Sequence, residues 1–172
     1  MFPLEIETLA RLLIDEARGK SLRLVTAESC TGGLVAGAIC AISGASDVFE
    51  RGFVTYTNRA KSEMLGVPGD LIADHGAVSE PVARMMAEGA LRESNGHVAV
   101  SITGVAGPGG GSPMKPVGTV HFAVARANRS VVHRHERFDG ETREAVQLAA
   151  IRTALEMLRE ARIGTVSEVP TP

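Results

Sequence analysis

The sequence predicts a single three-layer α/β/α domain built on a mixed β-sheet, and three observations carry that prediction. Short β-rich segments alternate with amphipathic helical ones through most of the chain, the pattern of strands joined by helical crossovers. The late segments 117–125 and 131–138 are both strand-like with no helix between them, so the sheet also takes an antiparallel, hairpin-like pair. The 172 residues are 44% hydrophobic and 22% charged, and a chain of that length and balance buries a core without disulfide or metal staples.

Each element follows from its residues. In 4–18, Leu4, Leu9, Leu12, Leu13 and Ala17 fall near one face and Glu5, Glu7, Asp15 and Glu16 mostly elsewhere, which predicts an amphipathic helix ended by Gly19. Residues 22–27 read as a strand. The run 28–33 then turns into a small-residue helix that ends near Ile42. Residues 52–57 are β-rich, and Asn58 is placed to cap a helix holding Lys61, Met64 and Leu65. Ser79-Glu80-Pro81 is a helix start, with Ser as cap and Pro in the first turn, and the helix runs to about Glu93. Residues 97–103 form a third strand. The segment 104–116 holds five glycines and three prolines and cannot be regular structure. After the two late strands, whose His-Arg-His-Glu alternation implies an exposed face or a sheet edge, comes the longest helix, about 142–161. Residues 1–165 read as one domain and 166–172 as a disordered tail.

Composition removes several functions. Five Phe, one Tyr and no Trp leave no stacking platform for single-stranded nucleic acid or quaternary amines, and a net charge of −2 gives no electrostatic footprint for nucleic acid or an anionic membrane. The longest apolar run, 34–42, is too short to span a bilayer, and no export signal is visible, so the expected location is cytoplasmic. Cys30 and Cys40 read as free thiols in a reducing compartment. Only Lys20, Lys61 and Lys115 are lysines among 18 basic residues, a skew that codon usage also explains.

Three constellations carry chemistry. At the junction of strand and helix, Glu28, Ser29, Cys30, Thr31, Gly32 and Gly33 crowd hydroxyls, a thiol and glycine amides together. Such a cluster holds a phosphate, shapes an oxyanion hole or presents a nucleophile, and equally serves as a tightly packed N-cap. Ser101 to Gly111 is a strand emptying into a glycine-rich loop; it lacks the Gly-Lys-Ser/Thr of a P-loop and the spacing of a dinucleotide fingerprint. Ser46, Tyr56 and Lys61 supply a hydroxyl, a phenol and an amine, the parts of Ser-Lys catalysis, although an ordinary surface Lys and half-buried Tyr would show the same spacing. His133 and His135 share a strand face, with no third ligand at metal spacing.

Five stretches together resemble one family: TAESCTGG at 26–33, FERGFVTYTNRAK at 49–61, GAVSEP at 76–81, SITGVAGPGGG at 101–111 and KPVGTV at 115–120. They are similar to the CinA C-terminal family, which includes stand-alone nicotinamide-nucleotide amidohydrolases, the NMN deamidases. The resemblance runs from about residue 5 to residue 160; the N-terminal domain of two-domain relatives has no counterpart. It implies an α/β/α fold that forms homodimers or larger homo-oligomers and hydrolysis of the carboxamide of nicotinamide mononucleotide to nicotinate mononucleotide and ammonia. It implies no metal and no cofactor.

Carried over position by position, the resemblance assigns catalysis to Ser46, Tyr56 and Lys61. Ser29, Cys30, Thr31, Gly32, Gly33, Thr103, Gly104 and Arg143 then form the substrate pocket. In that scheme Ser46 attacks, Lys61 is the base assisted by Tyr56, amides near Gly104 or Gly32 hold the oxyanion, and Arg143 binds phosphate or carboxylate. Ser29 stands as a rival nucleophile at its strand-to-helix elbow, and Cys30 as a thiol alternative. A non-catalytic nucleotide-binding or competence- and damage-associated role is the competing class.

Overall fold

The computed structural model describes residues 1–140 and 142–163. Among the described residues there are five strands, as expected, and six helices, one more than expected: α1 Leu4–Gly19, β1 Leu24–Glu28, α2 Leu34–Cys40, β2 Phe49–Val54, α3 Asn58–Leu65, α4 Gly69–His75, α5 Glu80–Arg92, β3 Val98–Gly104, β4 Thr119–Arg126, β5 Val132–Arg137 and α6 Arg143–Ile163. The expected tail at 166–172 lies outside the described residues.

The sheet is mixed, in the order β2-β1-β3-β4-β5. β1 pairs in parallel with both β2 and β3, while β3–β4 and β4–β5 are antiparallel. Helices cover both faces. On one side α1, α2 and α6 bury Leu13, Ile14, Ile39, Ile151 and Leu155 against Leu24, Val100, Ile102 and Phe122. On the other, α3, α4 and α5 bury Leu65, Ile72, Val82 and Met86 against Val25, Ala27 and Ala99. Each Leu, Ile, Val, Met or Phe among them, taken fully out of water, contributes about 1.5–3 kcal/mol. All five residues of β1 are buried, which is why its apolar run shows no alternation, whereas β5 alternates at the sheet edge.

Three local readings change. The strand expected over 52–57 runs instead over Phe49–Val54, because Thr57 leaves the sheet to cap α3, its Oγ1 accepting from the Ala60 amide at 3.0 Å. Asn58 is therefore the first residue of α3 rather than its cap. Ser79 occupies the cap position of α5 with its hydroxyl turned back to the Gly76 carbonyl at 2.8 Å. The seven-residue α4 was not legible, being too short to show a helical period.

Candidate active site

Parallel strands bring their carboxyl ends, and the turns that leave them, to one end of the sheet. Here the ends of β1 and β3, the start of α3 and the first turn of α6 enclose a cavity of about 280 Å³. Ser29, Cys30, Tyr56, Lys61, Thr103, Gly104 and Arg143 all line it, so seven residues spread over 115 positions of sequence meet at one place. A second cavity, of about 230 Å³ between α6 and the far ends of β4 and β5, holds none of the predicted residues.

Lys61 is the centre of the site. It sits in the first turn of α3 with only 1% of its surface exposed. Its Nζ lies 3.0 Å from Ser29 Oγ and donates to the Thr55 carbonyl at 2.9 Å. Burial disfavours the ammonium and lowers the Lys61 pKa from its ordinary value. A neutral amine keeps a lone pair with which to accept a hydroxyl proton, so this pair has the parts of an activated serine. Tyr56, 58% exposed, stands at the mouth, where Arg143 Nη1 donates to its hydroxyl at 3.3 Å.

The remaining predicted residues divide. Cys30 is buried, and that burial pushes its thiol up to about 12, so it is not a thiolate at neutral pH. Thr31 is fully buried and donates its hydroxyl to Glu28 at 2.8 Å instead of facing the cavity. Gly32 and Gly33 take φ of +57° and +96° to form the turn into α2, and the Gly32 amide donates to the Ser29 carbonyl at 3.0 Å, which withdraws it from any oxyanion. Thr103 lines the cavity, but its hydroxyl donates to Ala77 O at 2.9 Å.

Ser46 is not among the residues that line the cavity. It stands exposed on the 3-10 turn Ala45–Asp47, ahead of β2. The carboxyl end of β2 and the cavity lie about 17 Å further along, at ~3.3 Å per strand residue. The structure therefore joins Lys61 to Ser29, the rival nucleophile, and not to Ser46.

Sequence reasoning missed several contributors. Asn58, Ala77 and Val78 also line the cavity, beside Gly107, Gly109 and Gly110 of the glycine-rich loop that the sequence had singled out. Gln147, one helical turn after Arg143, donates to the Cys30 carbonyl at 3.0 Å. Its position on the Arg143 face of α6 was the available signal. The histidines also differ from expectation: His121 on β4 stacks on His135 at 4.4 Å, its Nδ1 lies 2.9 Å from His133 Nε2, and Glu80 of α5 approaches His133 at 3.6 Å. Among the described residues no group of three His, Cys, Asp or Glu side chains converges as a metal site.

Fold and site together define a class: three-layer α/β proteins that carry a buried Ser-Lys pair at the carboxyl ends of parallel strands. The CinA C-terminal domain matches residues 6–162, and the chain belongs to that family. It is 49% identical to the nicotinamide-nucleotide amidohydrolase PncC of Escherichia coli K12 over 154 residues, covering 90% of this chain and 93% of that protein. It is 47% identical to a CinA-like protein of Syntrophobacter fumaroxidans, covering 88% of this chain but 35% of that longer relative. The crystal structure of the competence/damage inducible protein CihA from Agrobacterium tumefaciens superposes with a TM-score of 0.91 at 52% identity, over 92% of this chain and 96% of that one.

Proposed function

We propose that the chain is a nicotinamide-nucleotide amidohydrolase that converts nicotinamide mononucleotide and water into nicotinate mononucleotide and ammonia. The similarity to PncC over nearly the full length of both proteins supports the reaction. The observation that carries the mechanism is the 3.0 Å approach of the buried Lys61 amine to Ser29 Oγ.

In this reading Ser29 Oγ attacks the carboxamide carbon while neutral Lys61 accepts the hydroxyl proton. Amides of the glycine-rich segment at Gly107, Gly109 and Gly110, which line the cavity, stabilise the oxyanion. On collapse the C–N bond breaks, and the departing nitrogen takes the proton from Lys61 and leaves as ammonia. Lys61 then removes a proton from water, the hydroxide opens the acyl-Ser29 ester, and the proton returns to Ser29 Oγ. Arg143 and Tyr56 at the mouth hold the anionic end of the nucleotide; among the lining residues no Asp or Glu opposes them. The proposal keeps a cytoplasmic location, matching the two free thiols, and a homo-oligomer, as the family resemblance implies.

The test is ammonia release from purified protein supplied with nicotinamide mononucleotide. Ser29→Ala and Lys61→Ala each lower kcat by on the order of 10³-fold, while Ser46→Ala and Cys30→Ala stay near wild type. No release by the wild type across pH overturns the reaction; loss of activity in Ser46→Ala overturns the choice of nucleophile.

A further inference from the structure

Glu28 takes no part in the reaction drawn above, yet its carboxylate is fully buried at the end of β1, directly before Ser29. A buried carboxylate is costly unless donors meet its lone pairs. Three do: Oε1 accepts from the Thr31 hydroxyl and the Val35 amide, both at 2.8 Å, and Oε2 from the Ala36 amide at 3.0 Å. All three donors come after Ser29 in the chain. The side chain therefore bridges the turn that carries the nucleophile and ties β1 to the first residues of α2.

The same turn is fastened from other directions. The Ser29 amide donates to the Ile102 carbonyl at 2.9 Å, and Gln147 holds the Cys30 carbonyl from α6. Lys61, by contrast, is placed by α3. Two reacting groups on separate elements stay at 3.0 Å only while the segment under each is fixed.

We infer that Glu28, acting through Thr31 and the first turn of α2, is a positioning residue that holds Ser29 Oγ against Lys61 Nζ. The inference rests on the Ser29-Lys61 reading. It gives the Thr31 hydroxyl, expected at the substrate, a place in the frame beneath it.

Two readouts test it on the full-length protein: kcat and KM for nicotinamide mononucleotide, and the rate at which an aryl sulfonyl fluoride labels Ser29, followed by intact mass with Ser29→Ala as blank. Thr31→Val keeps the shape and removes the donor. It lowers kcat and the labelling rate together, each by about tenfold or more, with KM within about twofold, since small displacements of reacting groups cost up to ~10²-fold. Thr31→Ser restores both. Glu28→Gln, which replaces an acceptor oxygen by NH₂, lowers both as well and serves where Thr31→Val does not fold. Thr31→Val or Glu28→Gln that folds and labels Ser29 at the wild-type rate overturns the positioning role. Wild type that labels but releases no ammonia defeats the amidohydrolase reading and leaves the positioning role standing; wild type that releases ammonia without labelling at Ser29 keeps the reaction and overturns Ser29 as the activated nucleophile, and the positioning role with it.

Discussion

Lys61 shows how one side chain combines folding and chemistry. An amine with 1% of its surface exposed would ordinarily find an acidic partner, but Lys61 bonds a carbonyl and a hydroxyl. Burial therefore lowers its pKa, which makes the base form available at lower pH than for a lysine in water. The expected pH profile of kcat/KM rises with pH as Lys61 loses its proton, with a midpoint below the ordinary value near 10.4. A flat profile, or a midpoint at or above that value, contradicts Lys61 as base. Lys61→Arg should abolish activity at every pH, because a guanidinium keeps its proton. At this scale the sequence was partly legible: Tyr56, Lys61 and Arg143 do meet at one cavity, whereas the approach of Lys61 to Ser29 rather than to Ser46 was not readable from spacing. Both serines lie in short turns close to glycines, and only the direction of β2 shows that Ser46 precedes that strand whereas the cavity lies past its carboxyl end.

Among the elements, the pairing of β4 with β5 has its own titration. His121 is held near pKa 4, mainly by burial and then by His135, His133 and Lys115, with Glu80 pulling the other way; His133 is also lowered by burial, with Glu80 opposing and Arg84 and His135 assisting. Histidines with native pKa below the unfolded value of about 6.5 leave the folded state fully stable above that value. As pH falls from about 6.5 toward 4 the unfolded chain takes up protons that the native cluster refuses, and stability is lost. His121→Asn should flatten the fall in Tm between pH 7 and 5; an equal fall in both proteins rules the cluster out as its source. The element order was legible because strand and helix periods differ. The His cluster was not, because its members come from β4, β5 and, through Glu80, α5, and cross-strand register cannot be read from one strand's sequence.

At the scale of the whole molecule, α1 and α6 pack side by side and are joined by ion pairs across great sequence distance. Arg159 makes a two-pronged contact with Glu16, at 2.9 and 2.8 Å, and Arg152 meets Glu5 at 3.2 Å. The Arg159–Glu16 pair is three-quarters buried on both sides, so its loss exceeds that of a surface pair. Arg159→Met should lower stability by about 1–2 kcal/mol, or roughly 2–8 °C in Tm, with kcat per folded molecule unchanged; an unaltered Tm refutes the link. The three-layer fold and mixed sheet were legible from alternation and the late hairpin. The pairing of α1 with α6 was not, since amphipathic faces name no partner.

The last helix also carries Arg143 and Gln147, which meet Tyr56 and the Cys30 carbonyl. In the proposed mechanism the reacting pair, Ser29 and Lys61, precedes Arg143 by more than 80 residues, so during synthesis it emerges well before the wall that would orient a substrate. An incomplete chain thus holds a serine and an amine without the groups that would bring an amide to them. In that reading reactivity waits for α6, so a chain cut short before Arg143 is expected to be chemically silent.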